Sequence, residues 1–189
     1  MKKYADDFKV VITEDKKGRE KKEAVYAGKF FDVTIDEKEL IKFRRISLVL
    51  LALILIIHVA GGCVANQGMY AFFVAVPYIF AFLPLYFMTT GILRLPKTKR
   101  KYRRDEIGLS FKRVRKSSTA LFILLCLGVV GEIVYLIWFA EGEYILEWIY
   151  LAVEVVAVAI AYFQVHIQKS IDVIPLDEEV QGQGTSAIS

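Results

Sequence analysis

Four windows of the chain, 46–65, 69–93, 118–140 and 144–165, each run for 20 residues or more with almost no charge. Together they hold only three of its 46 Asp, Glu, Lys and Arg residues. An α-helix rises 1.5 Å per residue, so about 20 apolar residues cross a hydrocarbon core of roughly 30 Å. A core helix of a water-soluble protein keeps one wet face and needs neither this length nor this lack of charge. Helices also satisfy their own backbone hydrogen bonds in lipid. The fold class predicted is an all-α integral membrane protein: a four-transmembrane-helix bundle with a small N-terminal cytoplasmic β-hairpin segment. The whole chain is 56% hydrophobic and 24% charged. It is the segregation of these two populations that argues against a soluble enzyme or a disulfide-stapled secreted module.

Orientation follows from the basic residues. The connection 94–117 carries eleven Lys or Arg against Asp105 and Glu106, whereas 63–68 and 140–143 carry none. The positive-inside rule puts 94–117 in the cytoplasm and, with four spans in the cell membrane, both termini as well. Trp138, Tyr144 and Trp148 then form an outer aromatic belt, and Tyr86, Phe87, Tyr162 and Phe163 an inner one. Arg100, Lys101, Arg103, Arg104, Arg113 and Arg115 are expected to meet anionic inner-leaflet lipids or an acidic partner, each surface cation contributing about 1 kcal/mol. Only Tyr102 and Phe111 are aromatic in this connection. Base stacking is poorly supplied, and no nucleic acid is expected.

The segment 1–45 reads as a separate cytoplasmic unit. Residues 8–13 and 24–35 are rich in β-branched and aromatic types around a polar, glycine-containing turn, which predicts a β-hairpin. A lone hairpin is marginal in water. It is expected to pack on the membrane, the basic connection or a second copy, and to offer a surface for a homo-oligomer or protein partner. Asp36 with Glu39 predicts a capped helix over 37–45 running into the first span. The tail 166–189 is expected to be cytoplasmic and largely disordered.

Charges inside a bilayer are costly and tend to be functional. Glu132 lies seven residues from Phe139, about 10 Å deep, and Glu154 ten from Tyr144, about 15 Å. His58 in the first span sits at a similar depth, as does the kink expected at Pro77. Glu147, three residues from the outer boundary, is expected to reach the headgroups. Gly128, Gly131, Glu132 and Tyr135 share one helical stripe, and Glu147, Glu154, Ala157 and Ala161 another, so both deep carboxylates point into the bundle. Glu132, Glu154 and His58 thus form a candidate intramembrane polar cluster, with Tyr78 and Tyr135 as hydrogen-bonding neighbours. Pro77, Gly128 and Gly131 shape its walls.

Two Cys and two His lie too far apart along the spans to build a zinc site, so no metal or other cofactor is expected. No phosphate-binding, dinucleotide, zinc-protease or nucleophile-elbow motif occurs. Small multidrug transporters also have four short spans and an intramembrane glutamate, but theirs lies in the first span, where this chain has His58. No residue role is carried over from them. The expectation is a non-enzymatic accessory, assembly or sensing component. The alternative is a small proton- or cation-coupled transporter or channel subunit using Glu132, Glu154 and His58.

Overall fold

A computed structural model describes residues 2–14, 20–139 and 144–176. The chain is mostly helical. A 3-10 turn at Lys2–Asp7 leads into β1 (Phe8–Glu14) and β2 (Glu20–Tyr26), then β3 (Phe30–Val33), α1 (Glu37–Gly62), α2 (Phe72–Leu93), β4 (Tyr102–Arg103), α3 (Arg104–Leu109), α4 (Phe111–Trp138), α5 (Ile145–Lys169) and β5 (Val173–Pro175). Three helical stretches are long and apolar enough to cross a membrane: Phe72–Leu93, Arg104–Trp138 and Ile145–Lys169. The fourth long helix, α1, has no Asp, Glu, Lys or Arg from Ile46 to Gly62, about 26 Å of helix.

The four long helices close a ring in the order α1, α2, α4, α5, each packing on its two neighbours, most extensively α2 on α4. Glycines at opposite ends of that pair explain the intimacy. A Cβ at Gly91 on α2 would overlap Val114, and one at Gly131 on α4 would stand 2.7 Å from the Phe73 carbonyl oxygen. Pro77 has no N–H to give that carbonyl, so the proline exposes a backbone oxygen where the glycine admits it. The ring's middle is apolar: Ile54, Ala81, Met88, Leu121, Leu125 and Ala157 are buried there. Its outer surface is apolar too, with Leu53, Ile56, Leu83, Ile123, Val130 and Val156 exposed, whereas glutamates, glutamines and a histidine lie inside. A water-soluble bundle has the opposite arrangement.

At one end, the sheet end, three distant segments are woven together. β3 is the central strand, pairing antiparallel with β4 (Phe30 opposite Arg103) and with β5 (Val33 opposite Val173). The sheet covers an apolar core of Val33, Leu40, Leu95, Tyr102, Ile107 and Ile171. Tyr102 is 1% exposed, and its hydroxyl donates to the Thr98 carbonyl oxygen at 2.9 Å. Burial pushes that phenol above its ordinary range. Tyr102→Ala is expected to lower stability by about 3 kcal/mol through the cavity it leaves. Tyr102→Phe, losing one hydrogen bond, should cost about 1 kcal/mol. Thermal unfolding in detergent measures both.

The N-terminal hairpin exists, but its strands differ from those expected. β1 pairs with Glu20–Tyr26, in register from Phe8 opposite Tyr26 to Glu14 opposite Glu20, so the second strand begins in a charged stretch. Phe30–Val33 leaves the hairpin for the other sheet, because two partner strands become available only when the chain returns. The tail is ordered further than expected as well: α5 runs to Lys169 and β5 follows; 177–189 lie outside the described residues. The basic connection is more structured than a loop, since α3 and the first two turns of α4 fall within it. The capped start of α1 is as predicted, with the Asp36 N–H donating to Glu39 at 3.4 Å.

Candidate functional site: a buried polar cluster

At the end of the bundle opposite the sheet, the polar side chains converge. α5 supplies the spine. Its buried positions Glu147, Tyr150, Glu154, Ala157, Ala161, Gln164 and Gln168 recur at alternating spacings of three and four, the seam of a close-packed helix. This seam is polar at both ends and small in the middle, so α5 presents its polar side to its neighbours and its apolar side outward.

Glu154 and His58 form one half of the cluster. His58 Nδ1 stands 3.8 Å from Glu154 Oε1, with the two side chains 3% exposed or less. His58 Nε2 lies 3.1 Å from the Tyr78 carbonyl oxygen. A carbonyl can only accept, so Nε2 carries the proton and Nδ1 faces the carboxyl group. The Tyr78 hydroxyl donates back to the His58 carbonyl oxygen at 3.2 Å, and the rings stack at 4.3 Å. Gly62 allows this approach, since a Cβ there would overlap the Tyr78 hydroxyl. The Glu154 carboxyl reaches between two more glycines, 3.8 Å from where a Cβ of Gly61 would lie and 3.7 Å from that of Gly128.

Glu132 and Glu147 form the other half, under the α1–α2 connection. Glu147 is 4% exposed and does not reach outward as its position suggested. It accepts the Gln67 N–H at 2.6 Å, the Gly68 N–H at 3.4 Å and the Asn66 side-chain amide at 3.1 Å. The carboxylate thereby satisfies a turn whose N–H groups have no helical partner, a stronger claim on it than the headgroups have. Glu132 is fully buried beside Glu147 and Asn66, packed so closely on Gly68 that a Cβ there would displace its carboxyl group.

The structure thus brings together Glu132, Glu154, His58, Tyr78, Gly128 and Gly131, with Pro77 behind them. Tyr135 is only partly buried and stacks on Phe139, one turn nearer the bundle end. Asn66, Glu147 and Tyr150 are cluster members that the sequence reading left out. Six buried atoms in the cluster meet no partner at hydrogen-bonding geometry among the described residues: His58 Nδ1, Asn66 Oδ1, both Glu132 oxygens, the Tyr150 hydroxyl and Glu154 Oε1. Among the described residues no group of three or more His, Cys, Asp or Glu is arranged to hold a metal ion. A second polar layer lies toward the sheet end, where Gln164 donates to Ser47 at 3.1 Å and Ser118 to Gln168 at 2.8 Å. The apolar middle of the ring separates the two.

The basic residues fall into two groups. Arg100 pairs with Glu106 at 2.7 Å, Arg103 lies over Phe8 and Tyr26 with Asp105 3.6 Å away, and Arg104 pairs with Asp7 at 3.6 Å. Arg103 and Arg104 brace the hairpin against the connection, whereas the Arg100 pair lies within the connection itself. Lys101 and Arg115 are exposed, and Arg113 donates to Thr90 at 3.3 Å. Fold and site together define a class: a mostly helical chain with three helices fit to span a membrane and an enclosed polar cluster. Comparison with family models, curated proteins and solved structures gives no match.

Proposed function

We propose that the chain is a four-span protein of the cell membrane that works without catalysis, as an accessory or assembly component acting through its sheet end in the cytoplasm. Inversion of the bundle, apolar outside and polar within, supports insertion. The outward Leu53, Ile56 and Val59 of α1 support counting that helix as the fourth span. Trp138, Tyr144 and Trp148 near one end and Tyr86, Tyr162 and Phe163 near the other are all exposed, as interfacial belts require. The basic connection then lies inside, with both termini.

The observation that carries the accessory reading is the composite sheet. Segments from before α1, between α2 and α4, and after α5 meet in one surface, so a partner docking there contacts every part of the bundle at once. The polar cluster supports the same reading in part, because Glu147 holds the α1–α2 connection closed. In native membranes solubilised in mild detergent, the full chain is expected to migrate in an assembly well above its own 21.5 kDa. A chain lacking residues 2–34 should insert but fall to the size of the free protein. Migration of the full chain at its own size would overturn the reading.

A second reading is favoured by the six unpartnered atoms. Polar atoms buried without partners are costly, and a proton held between His58 Nδ1 and Glu154 Oε1, with a small cation or waters beside Glu132, would satisfy most of them. On this reading the cluster is an occluded proton or cation site in a small transporter or channel subunit.

A further inference from the structure

At the sheet end, between α2 and α4, a groove of about 630 Å³ runs from the basic connection toward the middle of the bundle. Its floor is apolar, lined by Phe80, Leu83 and Phe87 from α2 and Ala120 and Leu124 from α4. Its mouth is cationic, lined by Arg104, Lys112, Arg113 and Lys116. From Lys116 to Leu124 is eight residues, about 12 Å along the helix, so one end is fully charged and the other fully apolar.

The cations are poorly compensated by the chain itself. Arg104 has Asp7, and Arg113 lies over the Phe87 ring and donates to Thr90. Lys112 lies over Phe31, and among the described residues neither Lys112 nor Lys116 has an acidic group within 4 Å. The first turn of α4 contains no acidic residue. Two of these cations, Lys112 and Arg113, therefore stand where the helix dipole repels positive charge and favours an anion. One amphiphile meets both demands: a phosphate at the mouth, answering the cations and the helix start, and a hydrocarbon chain on the floor.

We infer that this groove is a binding site for one anionic phospholipid of the cytoplasmic leaflet. The leaflet rests on the orientation proposed above; the site itself rests only on the groove. Two of its cations, Arg104 and Arg113, belong to the set expected to meet anionic lipids. Lys112, Lys116 and the apolar floor are additions that turn a diffuse surface attraction into a bounded site.

The test uses the full chain purified in neutral detergent and native mass spectrometry, titrating phosphatidylglycerol, phosphatidylcholine or inorganic phosphate. One phosphatidylglycerol per chain is expected, retained at least ten-fold more strongly than phosphatidylcholine. The pair Lys112→Gln and Lys116→Gln should weaken retention about ten-fold, and Ala120→Trp, which fills the exposed groove floor, should weaken it similarly with the cations intact. Both variants should keep the parent melting temperature. Equal retention of the two lipids, indifference to both variants, or displacement of bound lipid by inorganic phosphate at comparable concentration would overturn the site. Labelling Lys101→Cys, in a Cys63→Ser, Cys126→Ser background, from each side of sealed vesicles reports the orientation separately. Outside labelling with intact lipid retention would refute the orientation and leave the groove standing.

Discussion

Glu147→Ala is expected to destabilise the protein by about 2 kcal/mol, and Glu132→Met, at the carboxyl group beside it, to stabilise it by about 1 kcal/mol. The carboxylate of Glu147 accepts three hydrogen bonds from the α1–α2 connection. Hydrogen bonds between membrane helices average somewhat under 1 kcal/mol each, and removing this acceptor also strands two backbone N–H groups. Glu132 has the opposite balance. It is as deeply buried, yet among the described residues neither oxygen meets a donor at hydrogen-bonding geometry, and another carboxylate lies beside it. Replacing such a group by an apolar side chain of similar shape is commonly neutral or stabilising. Thermal unfolding in detergent or lipid reads both signs.

The same pair separates the two functional readings. If the cluster only holds helices together, Glu132→Met yields a more stable protein with its assembly unchanged, and Glu154→Gln behaves similarly. If it is a proton or cation site, the gain in stability comes with loss of ion movement, the usual exchange at a functional site. Proteoliposomes with a trapped pH dye measure this. Ion movement absent from the parent protein would end the transport reading.

Two glycines one turn apart on α4, Gly128 and Gly131, should respond oppositely to alanine, and Gly131 carries the second large effect. A Cβ at Gly131 would stand 2.7 Å from the Phe73 carbonyl oxygen, a backbone atom that cannot swing aside, and 3.4 Å from Val74. The helices must part, and because this is the most extensive helix pair the cost is expected to be about 3 kcal/mol. At Gly128 the nearest atom is the Glu154 carboxyl at 3.7 Å, an ordinary contact. Gly128→Ala should therefore be neutral or stabilising by up to about 1 kcal/mol from helix propensity alone. Melting temperatures of the two single variants decide it, and equal losses would contradict the packing described.

Much of this was legible in advance, and the remainder was hidden for identifiable reasons. The long helices announce themselves because a run of 20 apolar residues has few other uses. The inward direction of Glu132 and Glu154 follows from their spacing to glycine and alanine. The same test carried along α5 would also have gathered Tyr150, Gln164 and Gln168 onto the inner stripe. Depth alone places Glu147 at the headgroups, whereas its partners, distant in the chain, hold it inside. The Gln67 and Gly68 N–H groups that hold it lie 80 and 79 residues earlier in the chain. β4 and β5 are two and three residues long, too short for any alternation to register. Each is a strand only because β3 is already extended beside it.

That central strand imposes an order of events on the making of the protein. Phe30–Val33 leaves the ribosome early, its neighbour Tyr102–Arg103 after α2, and its other neighbour, Val173–Pro175, only after α5. The strand therefore waits with one edge open until the last long helix is complete. A chain stalled or wrongly inserted at any earlier point presents an unfinished sheet with free backbone groups on its margin. The finished surface is thus a signature of a completely built protein, and a partner that recognises it selects against every incomplete copy.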